Sequence, residues 1–127
     1  MNQYHALIVD DNANNTGVLS ELLAQQGVDS TSLKDARNLE RALDQMGSVD
    51  VIFLDLELPG VDGYQVLQRL KEDPRFNMVP MVAYTVHVSE ISNARNLGFD
   101  SFLGKPLDAD RFPEQLERIM RGEQVWA

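Results

Sequence analysis

Short apolar runs alternate with longer stretches of helical apolar spacing along this chain. Tyr4 to Val9 is an apolar-rich run ending in Asp10-Asp11, and it reads as a strand. Asn12 to Gln26 is helical, with Val18, Leu19, Leu22 and Leu23 on one face, and Gly27 closes it. Val28 to Leu33 is shorter and more polar, as expected of a strand near a sheet edge. Asp35 caps a second helix whose inner face is Ala36, Leu39, Ala42, Leu43 and Met46, and Gly47 ends it. Val51-Ile52-Phe53-Leu54-Asp55 is an unbroken apolar run that stops at a carboxylate. A continuous run of that kind fits a parallel strand buried on both faces.

Beyond Asp55 the breakers Pro59-Gly60 and Asp62-Gly63 mark a loop. A third helix spans about Asp62 to Lys71, burying Val66, Leu67 and Leu70, and Asp73-Pro74 breaks it. Met78 to Thr85 is a fourth strand. Ser89 to Leu97 is a weak helix with a thin apolar face of Ile91, Ala94 and Leu97, ended by Gly98. Ser101 to Leu103 is a short fifth strand, followed by Gly104-Lys105-Pro106. The last helix starts near Asp108 or Asp110, tolerates Pro113 in or beside its first turn, and turns Leu116, Ile119 and Met120 inward. Five strands alternating with five helices predict an α/β domain, a doubly wound parallel sheet with helices on both faces. No repeat or long linker divides the chain, so residues 1–121 form one domain and 122–127 a short tail. Val125-Trp126 in that tail either packs back on the body, the preferred expectation, or reaches a partner.

Composition narrows the function. The chain has 127 residues, enough for one core, and an ordinary apolar share of 43%. Its 11 basic and 20 acidic side chains give a net charge of −9, which argues against direct nucleic-acid binding. No cysteine is present, excluding disulfides, thiolate catalysis and cysteine-based zinc sites. No signal peptide or membrane-spanning run is evident, so a cytoplasmic location without membrane attachment is expected.

The candidate chemistry lies at strand ends. Asp10, Asp11 and Asp55 each close or follow a strand, and a parallel sheet gathers those ends on one edge, where ligands bind. Asp10-Asp11 alone would read as a solvated turn and helix cap. Three carboxylates together call for a protonated member or a bound cation, and hard oxygen ligands suit Mg²⁺ (or Mn²⁺). Thr85 adds a hydroxyl and Lys105 an ammonium. Such a set fits phosphoryl transfer to a carboxylate, with the cations and hydroxyl stabilising the transferring oxygens.

With these motifs in place the chain, from about Tyr4 to Arg121, resembles the CheY-like (flavodoxin-like) receiver domain of two-component response regulators. The motifs are Asp10-Asp11, Asp55 with Pro59-Gly60 and Asp62-Gly63, Thr85, and Lys105-Pro106. The resemblance implies the strand order 2-1-3-4-5. It implies Asp55 as phosphoacceptor, with Asp11, Asp55 and the Glu57 backbone carbonyl as direct metal ligands and Asp10 acting through a water. It implies Thr85 and Lys105 as phosphoryl-binding residues, a cis peptide bond before Pro106, and Phe102 as a switch aromatic that fills the space Thr85 vacates, although from the residues alone Phe102 reads equally as an ordinary core residue of a short strand.

Val86 departs from the pattern, which has a small residue there, and would narrow the mouth of the site. Glu57 and His87 occupy variable positions and are expected either to pair across that mouth or to be unrelated exposed side chains. His5 is expected to be a partly buried strand residue.

The implied function is a stand-alone receiver in a phosphorelay, catalysing only its own phosphorylation and dephosphorylation. A sensor histidine kinase or a histidine phosphotransfer protein would donate the phosphoryl group. Output would pass to an unknown downstream protein, or to a second copy in a homodimer, through the Ser89–Leu97 helix, the Phe102 strand and the last helix. Three rivals stand beside this reading. A flavodoxin-like electron carrier would want a Ser/Thr/Gly-rich phosphate loop where Asp10-Asp11-Asn12 stands. An aspartyl phosphatase would need a second acid, for which Glu57 is the local candidate. A degenerate receiver would bind partners without phosphorylation.

Overall fold

Strand register determines which side chains meet at the sheet edge. The computed structural model describes residues 4–34, 37, 39–56 and 63–127. In chain order these form β1 (Tyr4–Val9), α1 (Ala13–Gln25), β2 (Val28–Leu33), α2 (Leu39–Met46), β3 (Val51–Asp55), α3 (Gly63–Glu72), β4 (Met81–Thr85), α4 (Ile91–Asn96), β5 (Ser101–Gly104) and α5 (Phe112–Met120). A single 3-10 turn, Val88–Glu90, leads into α4. The five strands form one parallel sheet in the order β2-β1-β3-β4-β5, the flavodoxin-like arrangement.

Alternation along the strands divides the core in two. Leu7, Val9, Ile52, Leu54, Met81, Ala83 and Phe102 face α2, α3 and α4. Ala6, Ile8, Phe53, Val82, Tyr84 and Leu103 face α1 and α5. The central strands β3 and β4 are buried along their whole length, which is why they read as unbroken apolar runs. His5 is half-buried, its Nε2 lying 2.7 Å from Thr31 Oγ1 on the edge strand β2.

Four local expectations differ from the structure. β4 begins at Met81, not Met78, because residues 73–79 close into turns whose amides donate to Asp73 O and Phe76 O, leaving Met78 in solvent. On α1 the inward stripe is Leu19 and Leu23, four apart, so Val18 falls on the solvent side. Leu97 is also exposed, since α4 ends at Asn96 and the burial passes to Phe99, whose amide donates to Ala94 O. The last helix starts at Phe112. Asp108 instead shapes the preceding turn, its Oδ1 accepting from the amides of Asp110 and Arg111. The expected cap at Asp35 and the contact of Ala36 lie outside the described residues.

The tail packs back. Phe102 N donates to Val125 O at 2.8 Å, Ala127 N to Phe102 O at 2.9 Å, and Gly104 N to Ala127 O at 3.0 Å. Val125 N donates to Ser101 Oγ at 2.9 Å, and the Val125 side chain is buried. Trp126 lies beside Phe102 in parallel pairing, with the Arg95 guanidinium of α4 5.1 Å from its ring centroid.

Candidate functional site

The ladder between β1 and β3 sets Val9 opposite Leu54, so the next residues, Asp10 and Asp55, come side by side. β4 then sets Tyr84 opposite Asp55, and β5 sets Gly104 opposite Thr85, delivering Lys105 to the same edge. Asp10, Asp55 and Thr85 are buried polar groups there, while Asp11 is exposed. One carboxylate oxygen from each of Asp10, Asp11 and Asp55 lies within 4.8 Å of the other two. Three hard oxygen donors so close, one at the surface, fit a small divalent cation that keeps some of its waters.

Lys105 is the counter-charge. Its Nζ donates to Asp10 Oδ2 at 2.9 Å and lies 3.5 Å from Asp55 Oδ2. The other Asp10 oxygen accepts the Asn12 amide at 2.9 Å, and Asn12 in turn caps α1 by accepting from Asn15 N. The Lys105–Pro106 peptide bond is cis. Lys105 N donates to Thr85 O at 2.9 Å, so the hydroxyl-bearing and ammonium-bearing residues share a backbone bond. Thr85 Oγ1 accepts the His87 amide at 3.3 Å.

Beyond Thr85, Val86 and His87 are exposed. A cleft there is lined by Leu56, Tyr64, Thr85, His87 and Glu90. Glu57, expected to supply a carbonyl ligand and either to pair with His87 or to be an unrelated exposed side chain, lies outside the described residues, as do Pro59, Gly60 and Asp62. Phe102 is fully buried in the face covered by α3 and α4.

Three features of the site carry little or no signal in the sequence. The Tyr84 ring centroid lies 4.3 Å from Lys105 Nζ, and the Tyr84 hydroxyl donates to Asn15 O at 3.2 Å. Burial, with the charges of Asp10 and Asp55, pushes the Tyr84 phenol well above its ordinary range, so it stays neutral. The only sequence signal was its place before Thr85, where a strand tyrosine reads as core. Tyr64 and Glu90 form a hydrogen bond across the cleft, a pairing of distant residues that no motif announces. Gly63, a breaker by its sequence, also sits at a close approach of two backbones. A Cβ there would meet Leu56 Cα at 2.9 Å and Asp55 O at 3.1 Å, so its missing side chain lets α3 start against the backbone that carries Asp55.

Comparisons with known proteins agree with this geometry. The model of the response regulator receiver domain matches residues 6–117. A stress response regulator protein of Meyerozyma guilliermondii is 30% identical over 112 residues, covering 85% of this chain and 51% of that protein. A transcriptional regulatory protein of Mycobacterium tuberculosis is 30% identical over 115 residues, covering 91% and 45%. The chain thus spans about half the length of these curated relatives. Among solved structures, the receiver domain of a Pseudomonas aeruginosa sensor histidine kinase superposes with a TM-score of 0.81 at 25% identity, covering 93% of this chain and 98% of that one. That structure holds a magnesium ion coordinated in its active-site cleft. The chemotaxis protein CheY4 of Vibrio cholerae superposes with a TM-score of 0.80 at 20% identity, covering 91% and 98%. With its sheet order and its acidic strand-end pocket, the chain belongs to the response regulator receiver domain family.

Proposed function

We propose that the chain is a phosphorylation switch whose acceptor is Asp55. One observation carries this reading: Asp55 is buried at the carboxyl end of the central strand, grouped with Asp10 and Asp11 and 3.5 Å from the Lys105 ammonium. Asp11 and Asp55 would hold Mg²⁺ or Mn²⁺ directly, with the Glu57 carbonyl, and Asp10 would do so through a water. Both Asp10 oxygens already accept hydrogen bonds, which supports that indirect part. When bound, the ion supplies positive charge to the transferring phosphoryl oxygens.

The chain's own residues do the rest. An Asp55 carboxylate oxygen bonds to phosphorus as the phosphorus–nitrogen bond of a donor phosphohistidine breaks, and the imidazole leaves, taking a proton from solvent. Lys105 turns from its carboxylate partners to a phosphoryl oxygen, and the Thr85 hydroxyl donates to another. Water later cleaves the acyl phosphate and restores Asp55. The donor is a sensor histidine kinase or a histidine phosphotransfer protein in the same cytoplasmic compartment.

Output passes to a protein partner or a second copy. The surface proposed for it combines α4, β5 and α5 with the tail. Exposed Val88 and Leu97 at the two ends of the α4 segment supply apolar contact there. Thr85 and Phe102 are the residues proposed to couple the site to that surface.

The test is intact mass after incubation with Mg²⁺ and acetyl phosphate, beside Asp55→Asn. The parent gains one phosphoryl group and the variant none. No gain by a parent that binds Mg²⁺ would leave a phosphorylation-independent interaction module or a site obstructed at Val86, and Val86→Ala separates those two.

A further inference from the structure

We propose that Tyr84 is a positioning residue for phosphoryl transfer, its ring face forming the floor on which the Lys105 ammonium is held between Asp10 and Asp55. The inference rests on the reading of Asp55 as acceptor. Register builds the arrangement. Tyr84 is paired with Asp55 on one side and Leu103 on the other, so these three side chains share one face of the sheet. Lys105 lies two residues beyond Leu103, and its Nζ comes within 4.3 Å of the Tyr84 ring centroid.

The Lys105 side chain is only 8% exposed, so water does little to hold its charge. Its neighbours in that space are Asp10 Oδ2 at 2.9 Å, Asp55 Oδ2 at 3.5 Å and the electron-rich ring. The two carboxylates pull the ammonium toward themselves. The ring attracts it without fixing it to one oxygen, so Lys105 can exchange a carboxylate for a phosphoryl oxygen while staying out of solvent. The ring is itself pinned, because its hydroxyl donates to Asn15 O in the first turn of α1. That turn begins directly after Asp10 and Asp11, so floor and acidic wall are tied together.

Two readouts test this. The first is the rate of Asp55 phosphorylation by acetyl phosphate with Mg²⁺. Tyr84→Leu slows it about tenfold, the order expected on losing a desolvated cation–π contact. Tyr84→Phe, which keeps the ring, retains most of the rate. In a Lys105→Met background Tyr84→Leu costs nothing further, because the floor acts only through the ammonium. Equal slowing in both backgrounds, or a Phe variant as slow as Leu, overturns the proposal.

The second readout does not depend on phosphorylation. The chain's lysines are Lys34, Lys71 and Lys105, so labelled lysine gives three resolvable side-chain signals. The Lys105 ε-methylene protons are shifted upfield by the ring in the parent and in Tyr84→Phe, and return to ordinary values in Tyr84→Leu. An unshifted parent signal overturns the proposal even if Asp55 is phosphorylated. A shifted signal in a parent that takes no phosphoryl group, when Val86→Ala takes none either, upholds the contact and overturns the reading of Asp55 instead.

Discussion

The Tyr64 hydroxyl donates to Glu90 Oε2 at 2.8 Å, joining the first turn of α3 to the 3-10 turn after β4. The two segments are the lips of the cleft above Thr85. Tyr64 is braced from behind by Phe99, edge to face at 6.0 Å between ring centroids. The bond from Tyr64, then a weaker one from Asn93, and last the charge of His87, hold the Glu90 carboxyl below the ordinary glutamate range. A depressed folded pKa stabilises the bridge in full above the unfolded value, roughly pH 4.3, and that contribution is lost as pH falls through the folded pKa. Tyr64→Phe should therefore raise the Glu90 pKa toward its ordinary value in a carboxyl NMR titration. An unchanged titration would mean that Asn93 and His87 alone set it.

Gly63 should tolerate nothing larger. A methyl group 2.9 Å from Leu56 Cα forces α3 or the end of β3 to move. Gly63→Ala is expected to cost about 1–3 kcal/mol in urea unfolding, as overpacking does. The same shift would displace the backbone carrying Asp55, so Mg²⁺ affinity should fall as well. Unchanged stability would show that Leu56 and the end of β3 move aside at little cost.

The acidic cluster should work against the metal-free protein. Three carboxylates crowd together, the Lys105 ammonium lies against Asp10 and Asp55, and Asp11 is the exposed member. Asp11→Asn removes two of the three mutual repulsions, those with Asp10 and with Asp55, and should raise the metal-free unfolding free energy by about 1–2 kcal/mol, about 1 kcal/mol for each charge pair near water. Mg²⁺ should raise the melting temperature of the parent more than that of the variant, since binding stabilises only the state that holds the ion. Equal Mg²⁺ shifts in the two proteins would remove Asp11 from the ligand set.

Tail docking can be read from the sole tryptophan. Val125 is buried, and its burial contributes about 1.5–3 kcal/mol to docking. Val125→Asp should release the tail, shift Trp126 emission to the red and speed exchange of the Phe102 and Gly104 amides, which donate to tail carbonyls. Unchanged exchange at those two amides would mean that the tail stays docked without Val125.

Much of the fold was legible because burial leaves a periodic mark. β3 and β4 are buried on both faces and read as apolar runs, while α3 shows its inward residues at helical spacing. The ends of elements were less legible. Met78 is as apolar as a strand residue, but its exposure follows from turns closed on Asp73, and backbone bonds leave no pattern in side-chain type. In the site, the strand-end carboxylates, Thr85 and Lys105 were visible as chemistry placed after breaks in apolar runs. Tyr84 was not, because its contact with Lys105 is created by register across β4 and β5, and an aromatic residue in a strand is indistinguishable from ordinary core.

The docked tail also bears on how the sheet meets other chains. An open parallel sheet has two rims, each able to recruit a foreign strand and start aggregation. On β2 the rim is guarded by composition, since Asp29, Ser30, Thr31 and Ser32 make it polar. On β5 composition offers no such guard: Phe102 and Leu103 are apolar, and the strand is four residues long. There the chain covers the rim with its own Val125, Trp126 and Ala127. Loss of those residues would leave a short, sticky border, and the penalty would appear first as self-association at high protein concentration rather than as unfolding.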